Sequence, residues 1–322
     1  MIQPVLAIHG GAGAITRAQI TPEKQQAYED ALRSVLRGGT RVLAEGGSAL
    51  DAVTEAVRLL EECPLFNAGH GSVFTRDETH ELDAAIMDGR TRACGAVANV
   101  TTIRNPVLAA RAVMERSPHV LFVAAGAEAF ARAQGLECVD PSFFSTPARR
   151  EQLRAAQRTG QESIVLDHDA ARLAADRKAP LDESRKMGTV GAVALDRDGN
   201  LASATSTGGL TNKWPGRVGD TPIVGAGCYA SNASCAVATT GKGESFIRAV
   251  AAYDIAALME YAGLSLEEAS HKVVFEKLPL LDGAGGLVAV DAQGHVAMPF
   301  NTEGMYRGSQ VVGQAPEVAI YR

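Results

Sequence analysis

Gly188-Thr189-Val190-Gly191-Ala192-Val193-Ala194-Leu195 opens with the smallest residue and a hydroxyl, then runs on as an apolar strand. The segment before it has a different texture. Residues 149–187 hold nine Lys/Arg and seven Asp/Glu, 16 charged among 39, against 21% for the whole chain. With few large apolar residues and no clear period, a segment of about 149–188 is expected to be an exposed, mobile tether. After the strand come Asp196-Arg197-Asp198-Gly199-Asn200, whose Asp-Gly pair suits a hairpin turn, and then Leu201–Thr207 as the returning strand. If Leu195 faces Leu201, Thr189 sits opposite Thr207; a two-residue turn at Asp198-Gly199 would move the register by one.

A glycine, then a threonine, at the mouth of a hairpin is what a self-cleaving precursor needs. Glycine has no Cβ, so the peptide can take strained angles while the Thr189 hydroxyl attacks the preceding carbonyl. Hydrolysis of the resulting ester frees an α-amine on Thr189. With a pKa of roughly 7.7–8.0, that amine is partly unprotonated near neutrality and can serve as general base for the hydroxyl of its own residue. On spacing alone, Thr189, Thr205 and Thr207 are equally ordinary strand formers.

The surrounding pattern is of antiparallel strand blocks alternating with amphipathic helices. Pro4–Ile8 reads as a buried strand entering His9-Gly10-Gly11-Ala12-Gly13, a turn with too many glycines for a regular element, where something needs close backbone approach. Thr21-Pro22 opens a helix to about Glu45, and Ser48 opens another with Ala49, Val53, Ala56 and Leu60 on one face. Cys63–Gly71 is mostly apolar yet neither helix nor strand, so it is expected to be a buried or ligand-organised loop. Leu82–Met87, Ala93–Val100 and Val120–Ala124 read as strands, and Asn105-Pro106 caps a helix to about Met114. Glu244–Tyr261 reads as one helix, and Gly285–Val290 with Val296–Phe300 as a second hairpin. The fold class is α+β, with sheets covered by helices, and not the βαβ alternation of a doubly wound fold.

Composition removes other classes. A net charge of −6 gives no footprint for nucleic acid or an anionic membrane, and no apolar run has the length of a membrane span. The first sixteen residues carry no Lys or Arg, and His9-Gly10 interrupts the apolar stretch, so a cytoplasmic protein is expected. Five cysteines, scattered and never in a CxxC pair, argue for free thiols. Gly10-Gly11-Ala12-Gly13 lacks the dinucleotide fingerprint, Gly241-Lys242-Gly243 lacks the phosphate-loop Ser/Thr, no G-x-S-x-G occurs, and the histidines are isolated.

Met187-Gly188-Thr189-Val190-Gly191-Ala192-Val193-Ala194, Thr205-Ser206-Thr207-Gly208-Gly209 and Pro215-Gly216-Arg217-Val218-Gly219-Asp220 together resemble the plant-type L-asparaginases, also called isoaspartyl peptidases. The resemblance extends through His9–Gly13, Asn67-Ala68-Gly69, Gly225–Ala230, Thr240-Gly241 and Asn301–Met305, in order and over nearly the whole chain outside the charged segment. It implies a single N-terminal nucleophile hydrolase domain, a four-layer αββα sandwich. The chain would be cleaved between Gly188 and Thr189 into pieces of 188 and 134 residues that pair as an (αβ)2 heterotetramer.

By the same resemblance Thr189 is the nucleophile and Thr207 the threonine that hydrogen-bonds it. Thr240 and Gly241 supply a hydroxyl and a backbone N–H to the oxyanion. Arg217 holds the α-carboxylate and Asp220 the α-ammonium of an aspartyl unit, pairings that suit a planar guanidinium and a carboxylate. Gly243 and Asn67 join them as substrate-binding positions. No cofactor is implied for catalysis. A structural Na⁺ is implied, held by the backbone carbonyls of Leu60, Glu61, Cys63, Phe66, Ala68 and His70. Substrates would be L-asparagine or β-aspartyl dipeptides. A glycosylasparaginase-like amidase is the alternative within the same mechanism, and an unprocessed, non-catalytic binding protein the alternative outside it. One departure stands at Lys242, where the resemblance leads one to expect a small hydroxyl or amide residue.

Overall fold

The computed structural model describes residues 2–13, 15, 20–158 and 188–322. The strands are β1 (Val5–Gly13), β2 (Leu82–Asp88), β3 (Cys94–Val100), β4 (Leu121–Val123), β5 (Val190–Leu195), β6 (Leu201–Thr207), β7 (Cys228–Ala230), β8 (Cys235–Gly241), β9 (Gly285–Asp291), β10 (Val296–Ala297), β11 (Gly304–Val311) and β12 (Glu317–Ala319). They form an eight-stranded sheet ordered β12-β11-β1-β5-β6-β2-β3-β4 and a four-stranded sheet ordered β10-β9-β8-β7. Every pair is antiparallel except β3 with β4. Together with the helices this makes an α+β protein.

The central strands are apolar on both sides because both sides are covered. In β5, Val190, Ala192 and Ala194 face one core while Val193 and Leu195 face the other; in β1, Leu6 and Ile8 divide from Val5 and Ala7 in the same way. The first core is closed by the helices α1 (Pro22–Ala44), α2 (Ala49–Glu62) and α3 (Pro106–Arg116), whose Leu32, Leu36, Val53, Leu60 and Val107 are buried there. The second lies against the four-stranded sheet and the C-terminal helices, through Val237, Phe246, Ile255, Val273 and Val288. Truncating a wholly buried residue such as Ile8 to Ala would cost about 2–5 kcal/mol.

Helix starts follow the sequence. The Thr21 hydroxyl accepts from the Lys24 N–H at 3.3 Å with Pro22 in the first turn, and Ser48 makes a reciprocal capping box with Asp51. Asn105 precedes α3 as expected, but its side chain makes no cap and donates instead to Glu62 at 3.1 Å.

Three expectations are corrected. The glycine run is not a turn but the second half of β1, carried past a bulge between His9 and Gly11. Glu244–Tyr261 is broken at Val250, which takes the left-handed conformation (φ 49°, ψ 46°) between helices Gly243–Ala249 and Ala251–Ala262. The charged tether does not begin at 149. Helix α4 (Ala124–Ala133) is followed by α5 (Pro147–Arg158), which buries Leu153 and anchors Arg149 Nε on the Gly71 carbonyl at 2.6 Å. The rest of the tether, 159–187, lies outside the described residues. Among the described residues no helix is long and apolar enough to cross a membrane.

Candidate active site

The β5–β6 hairpin decides the site. Its register pairs Leu195 with Leu201 and Val190 with Ser206, so Thr189, just ahead of β5, falls opposite Thr207, as the Leu195–Leu201 pairing requires. Thr189 is 8% exposed. It lines a cleft with Gly188, Thr207, Gly209, Arg217, Asp220 and Gly241, in which about 10 Å³ remain free, room for roughly one water.

Gly188 lies on the glycine run. A Cβ placed on it would stand 2.6 Å from Gly11 Cα and 3.1 Å from the Gly10 carbonyl oxygen. The close backbone approach that the glycines imply is therefore that of the residue before Thr189. His9, the last residue before the bulge, is wholly buried beside the Thr189 backbone. Burial pushes its pKa down to about 3, opposed only in part by the Thr189 backbone beside it, so the ring is neutral. It fits because position 191 is glycine; a Cβ there would be 2.4 Å from His9 Nε2.

The Thr189 hydroxyl is 3.1 Å from the Thr221 hydroxyl. Thr221 is in turn fixed by its carbonyl, which accepts from the Thr205 hydroxyl at 3.0 Å. Thr207, expected to bond Thr189, uses its hydroxyl to accept from the Gly209 N–H at 3.0 Å and so closes the turn after β6. Asn67 lies outside the cleft lining and braces that turn. Its Nδ2 donates to the Gly209 carbonyl at 2.7 Å, its carbonyl accepts from the Gly208 N–H at 3.1 Å, and its Oδ1 accepts from the Val73 N–H at 2.9 Å.

Strand alternation separates the two threonines of β8. Gly241 reaches the cleft, whereas the Thr240 hydroxyl accepts from the Ala12 N–H at 3.3 Å and Thr240 is not in the lining. Thr239 instead serves the site by donating its hydroxyl to Asp220 Oδ2 at 2.7 Å. Burial pushes the Asp220 carboxyl up to about 6, against the lowering effect of Thr239 and Arg217. Arg217 presents Nε and Nη2 to the Glu244 carboxylate at 3.0 and 3.1 Å, and its Nη1 has no carboxylate partner among the described residues. Burial disfavours charge on Glu244, but Arg217 outweighs it and, with Lys242, holds the carboxyl below its ordinary range. A Cβ at Gly243 would lie 2.9 Å from Arg217 Nη2, so the guanidinium needs glycine there.

Thr221, Thr239 and Glu244 are not marked as site residues by the sequence. Thr239 precedes Thr240 on β8, where alternation along the strand separates the two; nothing local marks Thr221, which lies in a turn, or Glu244.

The loop after α2 folds back on itself. The Leu60, Glu61 and Cys63 carbonyls accept from the N–H groups of Cys63, His70 and Phe66 at 3.3, 2.7 and 3.2 Å. The Phe66, Ala68 and His70 carbonyls accept no backbone hydrogen bond among the described residues.

The chain is similar over its whole length to known proteins. The chain is 64% identical over 322 residues to an isoaspartyl peptidase of Escherichia coli (strain K12), covering 100% of this chain and 97% of the relative. It is 63% identical over 322 residues to an isoaspartyl peptidase of Salmonella typhimurium, covering all of both chains. It is 42% identical over 326 residues to a probable isoaspartyl peptidase/L-asparaginase 2 of Arabidopsis thaliana, covering 98% of each. A family model described as asparaginase matches residues 2–320, and the chain belongs to that family.

Proposed function

We propose that this protein is an isoaspartyl peptidase with L-asparaginase activity, matured by its own cleavage between Gly188 and Thr189. The observation that carries the reading is one cleft holding the Thr189 hydroxyl, the preceding Gly188, and an Arg217/Asp220 pair suited to a free amino-acid head.

In maturation Thr189 Oγ attacks the Gly188 carbonyl carbon. The C–N bond breaks and the nitrogen takes the hydroxyl proton. Water then hydrolyses the ester, leaving a Gly188 carboxylate and a free Thr189 amine. In turnover that amine takes the Thr189 hydroxyl proton, and Oγ attacks the side-chain carbonyl of the aspartyl unit. The Gly241 N–H and the Thr240 hydroxyl stabilise the oxyanion, the latter with the O–H that its acceptance from Ala12 leaves free. The leaving amine departs with the proton, and water releases L-aspartate. Arg217 takes the α-carboxylate through its Nη1 side and Asp220, ionised above about pH 6, takes the α-ammonium.

The architecture is read as an αββα sandwich, one domain cut into two chains and paired as (αβ)2. Two apolar cores on opposite faces of the large sheet support the layering. The cytoplasm suits five cysteines that are all free. The Leu60–His70 loop is the proposed Na⁺ site, since bare Phe66, Ala68 and His70 carbonyls match the oxygen donors such a cation takes. Bound there, Na⁺ would rigidify the loop that carries Asn67.

Lys242 is read as favouring β-linked peptides, whose leaving group carries a free carboxylate. Leucine release from β-aspartyl-leucine compared with ammonia release from L-asparagine tests both points. The dipeptide is expected to be the better substrate, and Lys242→Thr to reduce its advantage. Absence of both activities in cleaved protein refutes the function; an unchanged ratio in Lys242→Thr refutes the role of Lys242.

A further inference from the structure

Behind the cleft lies a buried charge cluster that takes no part in cleavage or turnover. The Lys213 side chain is completely buried; its Nζ donates to the Glu81 carbonyl oxygen at 2.9 Å and lies 3.9 Å from the Glu81 carboxylate. Lysine is held out of water in this way only when it is paired. Asp83, wholly buried on β2, attracts the same ammonium and accepts from the Asn99 N–H at 2.9 Å through Oδ1.

The cluster touches both ends of the segment that builds the cleft. At one end, a Cβ on Gly209 would stand 2.8 Å from Lys213 Nζ, two residues past Thr207. At the other, both Glu81 carboxylate oxygens accept from the Gly216 N–H, at 3.1 and 2.9 Å. Gly216 has φ 85° and sits in the turn closed by the Arg217 N–H on the Trp214 carbonyl at 3.1 Å. Glu81 and Asp83 come from the chain before the Gly188–Thr189 bond, and Lys213, Gly216 and Arg217 from the chain after it. The turn that carries Arg217 is thus moored to the other piece of the protein by one carboxylate, which lies 3.9 Å from a buried ammonium that Asp83 also attracts.

We propose that the Glu81–Lys213 pair positions Arg217 and thereby sets affinity for the substrate's α-carboxylate. With the ammonium buried and the Glu81 carboxylate partly exposed 3.9 Å away, the pair adds little stability over well-packed apolar groups. Its location fixes the backbone turn from which the guanidinium projects, while Glu244 holds the guanidinium itself. The inference rests on Arg217 being the α-carboxylate clamp, and its test separates the two claims.

The KM and kcat for β-aspartyl-leucine, and the inhibition constants of L-aspartate and of its α-amide, would be measured on the mature wild type, Glu81→Ala, Glu81→Gln and Arg217→Ala. Glu81→Ala is expected to raise KM about tenfold or more, the scale of one lost charge-assisted bond, with kcat within about threefold. The preference for L-aspartate over its α-amide should collapse with it. Glu81→Gln keeps an acceptor for Gly216 and should fall between, which also carries the test if the alanine variant folds poorly. A fall in kcat with the preference intact is what mere loosening of the fold produces, and it overturns the proposal. If Arg217→Ala loses the preference while both Glu81 variants keep it, the positioning role fails and the clamp stands. If Arg217→Ala keeps it, the clamp fails and the positioning role falls with it.

Discussion

Asp220 sits buried beside the Thr239 hydroxyl, and that placement has a kinetic signature. A carboxylate needed to bind an ammonium works only when ionised, and burial has moved its titration up to about 6. As pH falls through that value the protonated form gains and affinity declines. Between pH 7 and pH 5 the ionised fraction falls about tenfold, so KM for β-aspartyl-leucine should rise about tenfold. An ordinary surface carboxylate would leave KM nearly flat over the same range, and a flat profile contradicts the assignment of Asp220. At this scale the hairpin arithmetic placed Thr189 opposite Thr207, while Arg217 and Asp220 were singled out by the family resemblance and not by their spacing; all three line one cleft. The sequence was silent where a contact crosses from a distant segment. The Thr221 hydroxyl on Thr189, the Glu244 carboxylate on Arg217 and the Gly188 backbone on Gly11 are products of folding that spacing along the chain does not encode.

Elements were legible where a local rule acts alone. Thr21, Ser48 and the Asp198-Gly199 turn each supply their own hydrogen bonds or backbone angles, and the helices and hairpin begin where those residues stand. Val250 shows the opposite case. A β-branched residue in the left-handed region is unfavourable by roughly 1–2 kcal/mol, so helical periodicity runs straight through it. The break is compensated from outside, because the Ala252 and Tyr253 N–H groups donate to the Ala226 and Gly225 carbonyls at 3.2 and 2.8 Å. The glycine run was misjudged for the same reason, since its partners in β11 and at Gly188 supply what a turn would have supplied locally. The Leu60–His70 loop yields a prediction at this level. If its carbonyls hold Na⁺, replacing sodium with choline at constant ionic strength should lower Tm by several degrees, because a ligand that binds only the folded state stabilises it. An unchanged Tm contradicts a sodium site.

Across the molecule, two sheets and two apolar cores bring four distant stretches to one place: the end of β1, the start of β5, the turn after β6 and the end of β8. High glycine content, 33 residues in 322, is understandable at this scale, since several of these stretches meet backbone to backbone. The α+β class was readable because strand and helix patterns differ in period; the pairing of β1 between β5 and β11 was not, because it joins residues about 180 to 310 positions apart. The central claim is that the chain is a precursor which cuts itself at one bond. Intact-mass measurement of the purified protein under denaturing conditions tests it most directly. The account predicts two polypeptides, one beginning at Thr189 with 134 residues, and a single species of 33.6 kDa for Thr189→Ala. A wild-type chain that stays at 33.6 kDa, or a Thr189→Ala chain that is still cut before residue 189, contradicts it.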